Sequence, residues 1–371
     1  MKSTNTHLTI AVTGMNATDN PAPGVPVIRA IRDGVPNVTT IGLAYDALDP
    51  GCYMGGVCDY VYLMPYPSQG ADVMLDRLRA IHRQTPIDVL IPCLDAELSA
   101  YIKMEDDLRD MGIAMMLPDE ASLELRSKAR LTELDDRFGI RVPKSLTLTD
   151  RRSIATIQDT LRYPVMVKGQ FYDAYIAYSA LEVGTWFDRM AAKWGLPVIV
   201  QEYVAGTEFD IVAVGDGDGG LIGHVPMRKM QLTDKGKAWG GITVTDSDLD
   251  EFVRRTVGAL CWSGPCELEV MREHDTGDLY LIEINPRFPA WVYLTVGAGR
   301  NLPAAVVQLA LGRNPRVMDP APAGVMFLRH SYDQIVSLSD FSSMTTLGEL
   351  SSGQSITLPQ TPNRRPELEI A

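Results

Sequence analysis

Cys266-Glu267-Leu268-Glu269-Val270-Met271 and Leu279-Tyr280-Leu281-Ile282-Glu283-Ile284-Asn285-Pro286-Arg287 decide the reading of this chain. Both segments have the apolar content of strands. The stretch between them, His274-Asp275-Thr276-Gly277-Asp278, carries Asp and Gly where a hairpin needs them. Folding the hairpin about Thr276 sets Glu269 opposite Glu283 and Glu267 opposite Asn285. Facing carboxylates destabilise a ladder unless a cation lies between them. Two carboxylates and an amide oxygen are the hard ligands that Mg²⁺ takes when it also holds phosphates. Arg287, at the strand end, is placed to reach the same phosphates. A surface hairpin with solvated acids is the alternative. It fits poorly with Leu279, Leu281, Ile282 and Ile284, which mark a buried or half-buried strand.

The chain has 371 residues, enough for two or three domains. Its hydrophobic content of 46% is that of a globular protein. A formal charge of −13 argues against a nucleic-acid surface, which needs a basic stripe. No apolar run approaches the length of a membrane helix, and the first residues do not form a signal sequence. The five cysteines, at 52, 58, 93, 261 and 266, lack metal or redox spacing. They read as reduced thiols of a cytoplasmic protein.

Strand and helix signals alternate over residues 8–120. Strands are expected at Leu8–Thr13, Val38–Leu43, Tyr60–Leu63, Val89–Ile91 and Ala114–Leu117. Helices are expected at Val25–Arg32, Ala71–Arg83 and Glu97–Met111. This alternation predicts a parallel sheet covered on both faces, with ligands at the carboxyl ends of its strands. The dinucleotide fingerprint is absent after the first strand, which weakens a nicotinamide or flavin reading. A smaller α/β unit follows, with a helix over Ser122–Phe138, a strand at Pro164–Lys168 and its antiparallel return at Tyr175–Tyr178. A further strand is expected at Pro197–Gln201. The hairpin Phe209–Val214/Leu221–His224, a helix over Leu249–Leu260, the acidic hairpin and a helix near Pro303–Leu311 complete the pattern. Residues beyond the proline-rich stretch 315–322 carry little periodic signal, and Pro359–Ala371 is expected to fray.

In element order over residues 8–320, the chain resembles the ATP-grasp superfamily. It is most similar to single-chain carboxylate–amine ligases related to the carbamoyl-phosphate synthase large subunit and biotin carboxylase. The strongest carrier is the run Glu283-Ile284-Asn285-Pro286-Arg287 after an earlier strand acid. The resemblance implies an α/β fold with an N-terminal Rossmann-like parallel-sheet domain and two α+β subdomains that clamp ATP. The expected divisions are residues 1–118, 119–204, 205–320 and a C-terminal extension, 321–371. Glu269, Glu283 and Asn285 are then ligands of Mg²⁺, or of Mn²⁺ in its place. Arg287 is the catalytic cation on the transferring phosphoryl group, because its planar fork meets phosphate oxygens in pairs.

The same resemblance makes Gln201–Glu208 the hinge between the halves of the clamp. Backbone around Glu202, Tyr203 and Val204 would read adenine, and Glu208 would accept from the ribose hydroxyls. Lys168, ending an apolar strand, is similar to the family's phosphate lysine. Lys128 is similar to a second nucleotide lysine, with a solvated helix lysine as the alternative. The chain departs from the family after Lys168, where Gly169-Gln170-Phe171-Tyr172-Asp173-Ala174-Tyr175 replaces a glycine-rich loop. Arg228 and Lys229, or the stretch Thr233–Gly241, are candidates to cover the phosphates instead. Asp95 and Glu97 are candidates for an ammonium group, with Asp95 as a helix N-cap the alternative. Arg329 and His330 are candidates for a substrate carboxylate.

The expected function is ATP-dependent amide or peptide bond formation through an acyl phosphate. The partners are a small-molecule carboxylate and an amine, with neither nucleic acid nor membrane, and the family's habits imply a homodimer. Two alternatives stay open. One is a degenerate ATP-grasp protein that binds nucleotide without turnover. The other is a carboxylase or bicarbonate-activating enzyme.

Overall fold

The computed structural model describes residues 7–18, 20–127, 130–169, 173–233 and 238–351. Four strands, β1 (Leu8–Thr13), β2 (Val38–Ala44), β3 (Tyr60–Leu63) and β4 (Val89–Ile91), form a parallel sheet in the order β3-β2-β1-β4. β1 is buried along its whole length, as a strand covered on both faces must be. Ile10, Val12 and Ile28 pack on one side. Ala11, Ile41, Leu75 and Leu78 pack on the other. The α/β expectation holds here. Ala114–Leu117 does not form a strand: only Ala114 bridges to Val89. The expected helix Glu97–Met111 is two helices, Asp95–Lys103 and Glu105–Asp110, broken at Met104.

Next comes a four-stranded antiparallel sheet, order β5-β8-β6-β7, of β5 (Ser145–Leu148), β6 (Val165–Lys168), β7 (Ala174–Ala177) and β8 (Val198–Glu202). Its strands close a core of their own with the helix Ala180–Trp194, through Val167, Val183, Phe187 and Val200. The helix expected over Ser122–Phe138 is instead Glu120–Leu125 and Glu133–Phe138. The break lets Leu125, Leu131 and Leu134 reach one core together.

The third sheet has β9 (Gly206–Asp216), β10 (Leu221–Leu232), β11 (Ala238–Thr243), β12 (Ser263–Glu273), β13 (Leu279–Asn285) and β14 (Met326–Leu328), in the order β13-β12-β9-β10-β11-β14. β11 corrects the sequence reading, because Ala238–Gly241 is strand and not loop. One face packs Phe209, Ile211, Leu268, Val270 and Ile284 against Leu249 and Val253 of the helix Ser247–Ala259. On the other face Val212, Val214, Val225 and Met227 share a core with β1, the helix Gly24–Gly34 and the helix Leu302–Ala310. The first and third sheets therefore form one packed body. Residues 321–351 are more ordered than their pattern suggested: β14 extends the third sheet and β15 (Glu349–Ser351) pairs with β3 of the first. The fraying expected for Pro359–Ala371 lies outside the described residues.

Glu97 ties the carboxyl ends of the parallel sheet together. It is fully buried. Its Oε1 accepts from Thr13 Oγ1, from Cys93 N at 2.8 Å and from Leu94 N at 2.9 Å, and Tyr45 donates to its Oε2. These bonds leave no room for the ammonium-binding role considered for Glu97. Replacement by Ala strands several buried donors, each worth roughly 1–3 kcal/mol. We expect Glu97→Ala to lower the urea midpoint markedly and Glu97→Gln to lower it much less. Equal stability of Glu97→Ala and wild type would contradict this role.

Candidate functional site

The acidic hairpin has the pairing expected from sequence, by a route the sequence did not show. Near the turn the register is Arg272↔Leu279, Met271↔Tyr280 and Val270↔Leu281. Continued unbroken, it would set Glu269 against Ile282. A bulge at Ile282 adds one residue and restores Glu269↔Glu283, Leu268↔Ile284 and Glu267↔Asn285. Bulges re-aim side chains in this way. Glu267, Glu269, Glu283 and Asn285 therefore share one face of the sheet, while Leu268 and Ile284 enter the core behind it.

β9 and β10 extend that face. Glu269 pairs with Asp210, and Met271 with Glu208. Lys229 Nζ lies 2.6 Å from Glu208 Oε1 and 3.2 Å from Asp210 Oδ1. Asp210 is buried, and its Oδ1 makes no hydrogen bond. Burial, aided by Glu267 and Glu269, pushes the Asp210 carboxyl well above the usual range, although Lys229 opposes this. Burial would lower the Lys229 ammonium, but Asp210, Glu269 and Glu208 outweigh it and hold the proton on more tightly. Arg228 does not join this group. It pairs with Phe209 on the other face and is exposed.

Glu267 is an organiser of the hairpin end. Trp291 Nε1 donates to its Oε1 at 2.7 Å, and Asn285 Nδ2 donates to its Oε2 at 3.2 Å. Asn285 Nδ2 also reaches Glu269 Oε1 at 3.2 Å, and Asn285 Oδ1 accepts from Arg287 Nη2 at 3.3 Å. Arg287 Nε donates to Asp95 Oδ2 at 2.7 Å, which joins the end of β13 to the start of the helix Asp95–Lys103. Asp95 is the first residue of that helix, and the N-cap is Leu94. Arg126 Nη1 stands 3.3 Å from Asp95 Oδ1. Burial raises the Asp95 carboxyl, but the guanidiniums of Arg287 and Arg126 outweigh it and hold it below the ordinary carboxylate range. Arg287 keeps its proton more tightly than a free guanidinium: burial works against the charge, and Asp95 and Glu267 overcome it.

Lys168, buried, ends β6 and pairs with Ile199, whereas Glu202 ends β8 and pairs with Val165. Three residues, about 10 Å, separate the two along the strands. Glu202 is also tied to Lys144, through its N–H to Lys144 O at 2.8 Å and its Oε2 from Lys144 N at 3.2 Å. Exposed Tyr203 and buried Val204 then connect to β9. Gly206 opens that strand because a Cβ there would lie 2.3 Å from Arg272 O. Lys128 lies outside the described residues, as do Gln170–Tyr172 and Asp234–Lys237. His330 is exposed and stacks on Tyr332, its ring centroid 5.9 Å away.

Among the described residues, no three His, Cys, Asp or Glu side chains come close enough to ligate one ion by themselves. The donor set still fits Mg²⁺. It offers opposed carboxylates, an adjacent amide and a buried carboxylate oxygen without a hydrogen bond, and Mg²⁺ ordinarily completes its shell with water and phosphate oxygens. Sequence reasoning missed Asp210 and Arg126. The alternation Glu208-Phe209-Asp210 signalled the first as a same-face partner of Glu208. Nothing in the sequence tied Arg126 to Asp95.

The family model described as "ATP-grasp in the biosynthetic pathway with Ter operon" matches residues 196–330. The chain contains an ATP-grasp domain. It is 22% identical over 270 residues to the carbamoyl phosphate synthase large chain of Clostridium beijerinckii, covering 69% of this chain and 24% of that protein. The chain thus spans about a quarter of the length of the curated relatives it matches. An L-amino acid ligase from Bacillus licheniformis has the same fold, with a TM-score of 0.62 and 18% identity, over 83% of this chain and 75% of that one. So does the biotin carboxylase domain of the Hydrogenobacter thermophilus 2-oxoglutarate carboxylase, solved with MgADP and bicarbonate, with a TM-score of 0.62 and 17% identity over 83% and 71%.

The Asp95 carboxyl gives a pH prediction. Its depressed pKa contributes stability above the ordinary value of 3.8, and this is lost as pH falls through the lower folded value. Asp95→Asn should therefore unfold at lower urea than wild type near about pH 7, with the gap closing in acid. Equal urea midpoints at neutral pH would refute the clamp.

Proposed function

We propose that the protein is an ATP-dependent carboxylate–amine ligase that works through an acyl phosphate. The observation that carries this reading is the ladder pairing of Glu269 with Glu283, with Asn285 and Arg287 completing the same strand end. Glu269, Glu283 and Asn285 hold Mg²⁺, or Mn²⁺, which when bound supplies positive charge to the phosphates. Lys168, with Lys128, takes phosphate oxygens, and the connector Glu202–Val204 takes the adenine. The roughly 10 Å between Lys168 and Glu202 suits opposite ends of an extended nucleotide. Glu208 accepts from the ribose hydroxyls, and Lys229 beside it lends a cation to the phosphates.

A substrate carboxylate oxygen bonds to the γ-phosphorus as the bond to ADP breaks. The amine then attacks the acyl carbon, inorganic phosphate leaves, and the amine gives up a proton. Arg287, held by Asp95, neutralises charge on the transferring group, so the chain's contribution is positioning and electrostatics. The L-amino acid ligase among the structural neighbours supports this class. All five cysteines are free and four are buried, which accords with a reducing cytoplasmic setting.

The segment after Lys168 favours a second reading, nucleotide binding without turnover. Gly169 N donates to Asp173 O at 3.1 Å, and Asp173 is held by Lys193 at 2.7 Å and Trp194 at 2.9 Å. These contacts fix Asp173, at the far end of a stretch that lacks the family's glycines. Phosphate release from Mg·ATP, measured across a panel of carboxylates and amines, separates the two readings. Tight ATP binding with no release under any pair favours the second, and a strict bicarbonate requirement favours carboxylation.

Glu283→Gln is expected to lower Mg²⁺-dependent phosphate release by about 10²- to 10³-fold while keeping the fold, with a melting temperature no lower than wild type because one of two facing charges is gone. Full activity in this variant would remove the metal assignment. Lys168→Met is expected to weaken ATP binding about tenfold, more than it raises the KM for the amine. Equal losses would count against a nucleotide role for Lys168.

A further inference from the structure

Arg329 lies on the same face as the proposed centre, at the opposite edge of the sheet. Lys229 pairs with Gly241, and Gly241 with Phe327. Arg329, two residues beyond Phe327, therefore has the same orientation. Its N–H donates to Trp239 O at 2.9 Å, which continues the β11–β14 ladder. Gly241 leaves room on this face for two neighbouring side chains: a Cβ there would lie 2.3 Å from Met227 Sδ and 2.9 Å from Phe327 Cε1.

The guanidinium is fixed, and among the described residues it is not neutralised. Nη1 donates to Ala238 O at 3.1 Å and Nη2 to Ala290 O at 3.2 Å. Its Cζ lies 5.8 Å from the ring centroids of both Trp239 and Phe327. No carboxylate pairs with it among the described residues, in contrast to Arg287 and Arg126, which share Asp95. A guanidinium has five N–H donors, and two are engaged. A half-buried cation held only by carbonyls and rings is unbalanced until an anion arrives. The loop it holds, Arg287–Ala290, is the one that Arg287 itself grips through Phe288 O at 3.2 Å. Two strand spacings, about 10 Å, separate β14 from β10, and four separate it from β12. Arg329 therefore addresses a different part of the ligand from the groups at Glu269 and Glu283.

We propose that Arg329 is an anion subsite that takes the carboxylate of the amine substrate, so that this substrate is a free α-amino acid. The inference deepens the ligase reading and takes the location of the centre from it. The planar fork receives two carboxylate oxygens on its unused N–H groups, and Trp239 and Phe327 keep it flat and shielded from water.

The test is calorimetric titration of the whole protein with the free L-α-amino acids and with their carboxamides, in the presence of Mg²⁺ and a nonhydrolysable ATP analogue. At least one free acid should bind, and its carboxamide should bind about 10- to 100-fold more weakly. Arg329→Met should weaken the acid by a similar factor and leave the carboxamide and the nucleotide analogue unchanged. Arg329→Lys, which keeps the charge but not the fork, should fall between. The proposal is overturned if no free acid binds wild type, or if Arg329→Met weakens acid and carboxamide equally. Arg329-dependent binding of the acid without phosphate release from ATP would sink the ligase reading and leave the subsite standing.

Discussion

Like charges held face to face by a β-ladder are the constraint on which the rest depends. The backbone, through the bulge at Ile282, fixes Glu269 against Glu283, and neither strand can turn its carboxylate to the other face without taking Leu268 and Ile284 out of the core. Two like charges about 5 Å apart cost roughly 3 kcal/mol at an effective dielectric of about 20. Asp210 and Glu208 on the next strand add to the repulsion, and Lys229 offsets part of it. Arg287 and Arg126 offset part of the Glu283 charge as well. In the proposed reading a divalent cation beside a polyphosphate would relieve the remainder with the donor types present.

Packing divides the molecule in a way that serves this site. The parallel sheet and the six-stranded sheet share one core, and the ion pair between Arg287 and Asp95 crosses between them beside the acidic row. The floor of the site is therefore rigid. The four-stranded sheet has its own core and continues into the floor through Tyr203–Ala205. An element with a separate core and a short connector is the one expected to move on binding. Lys168 belongs to that element and Glu208 to the floor, so a nucleotide that touches both would draw the halves together.

Much of this was legible in the sequence because it rests on local patterns. The alternation of apolar residues gave β1 to β4 and the acidic hairpin, and the charge spacing gave the Glu269–Glu283 pairing. The hairpin was centred half a residue away from the real turn, an offset of one residue in register, and the bulge at Ile282 compensated. No residue type marks a bulge of that kind. β11 was read as a loop because two glycines fill its centre, yet one of them, Gly241, makes room for Met227 and Phe327. The short helices around Arg126 and the strands at the chain's end depend on pairing with distant segments, so local periodicity did not reveal them. Arg228 was grouped with Lys229 by adjacency, whereas strand alternation separates neighbours to opposite faces.

The most direct test is crystallographic. Crystals grown with Mn²⁺ and a nonhydrolysable ATP analogue would locate the ion by anomalous scattering. The account predicts a Mn²⁺ peak between the Glu269 and Glu283 carboxylates, within about 2.2 Å of an oxygen of each and in contact with the phosphates. Nucleotide bound with no ion between these two side chains would contradict it.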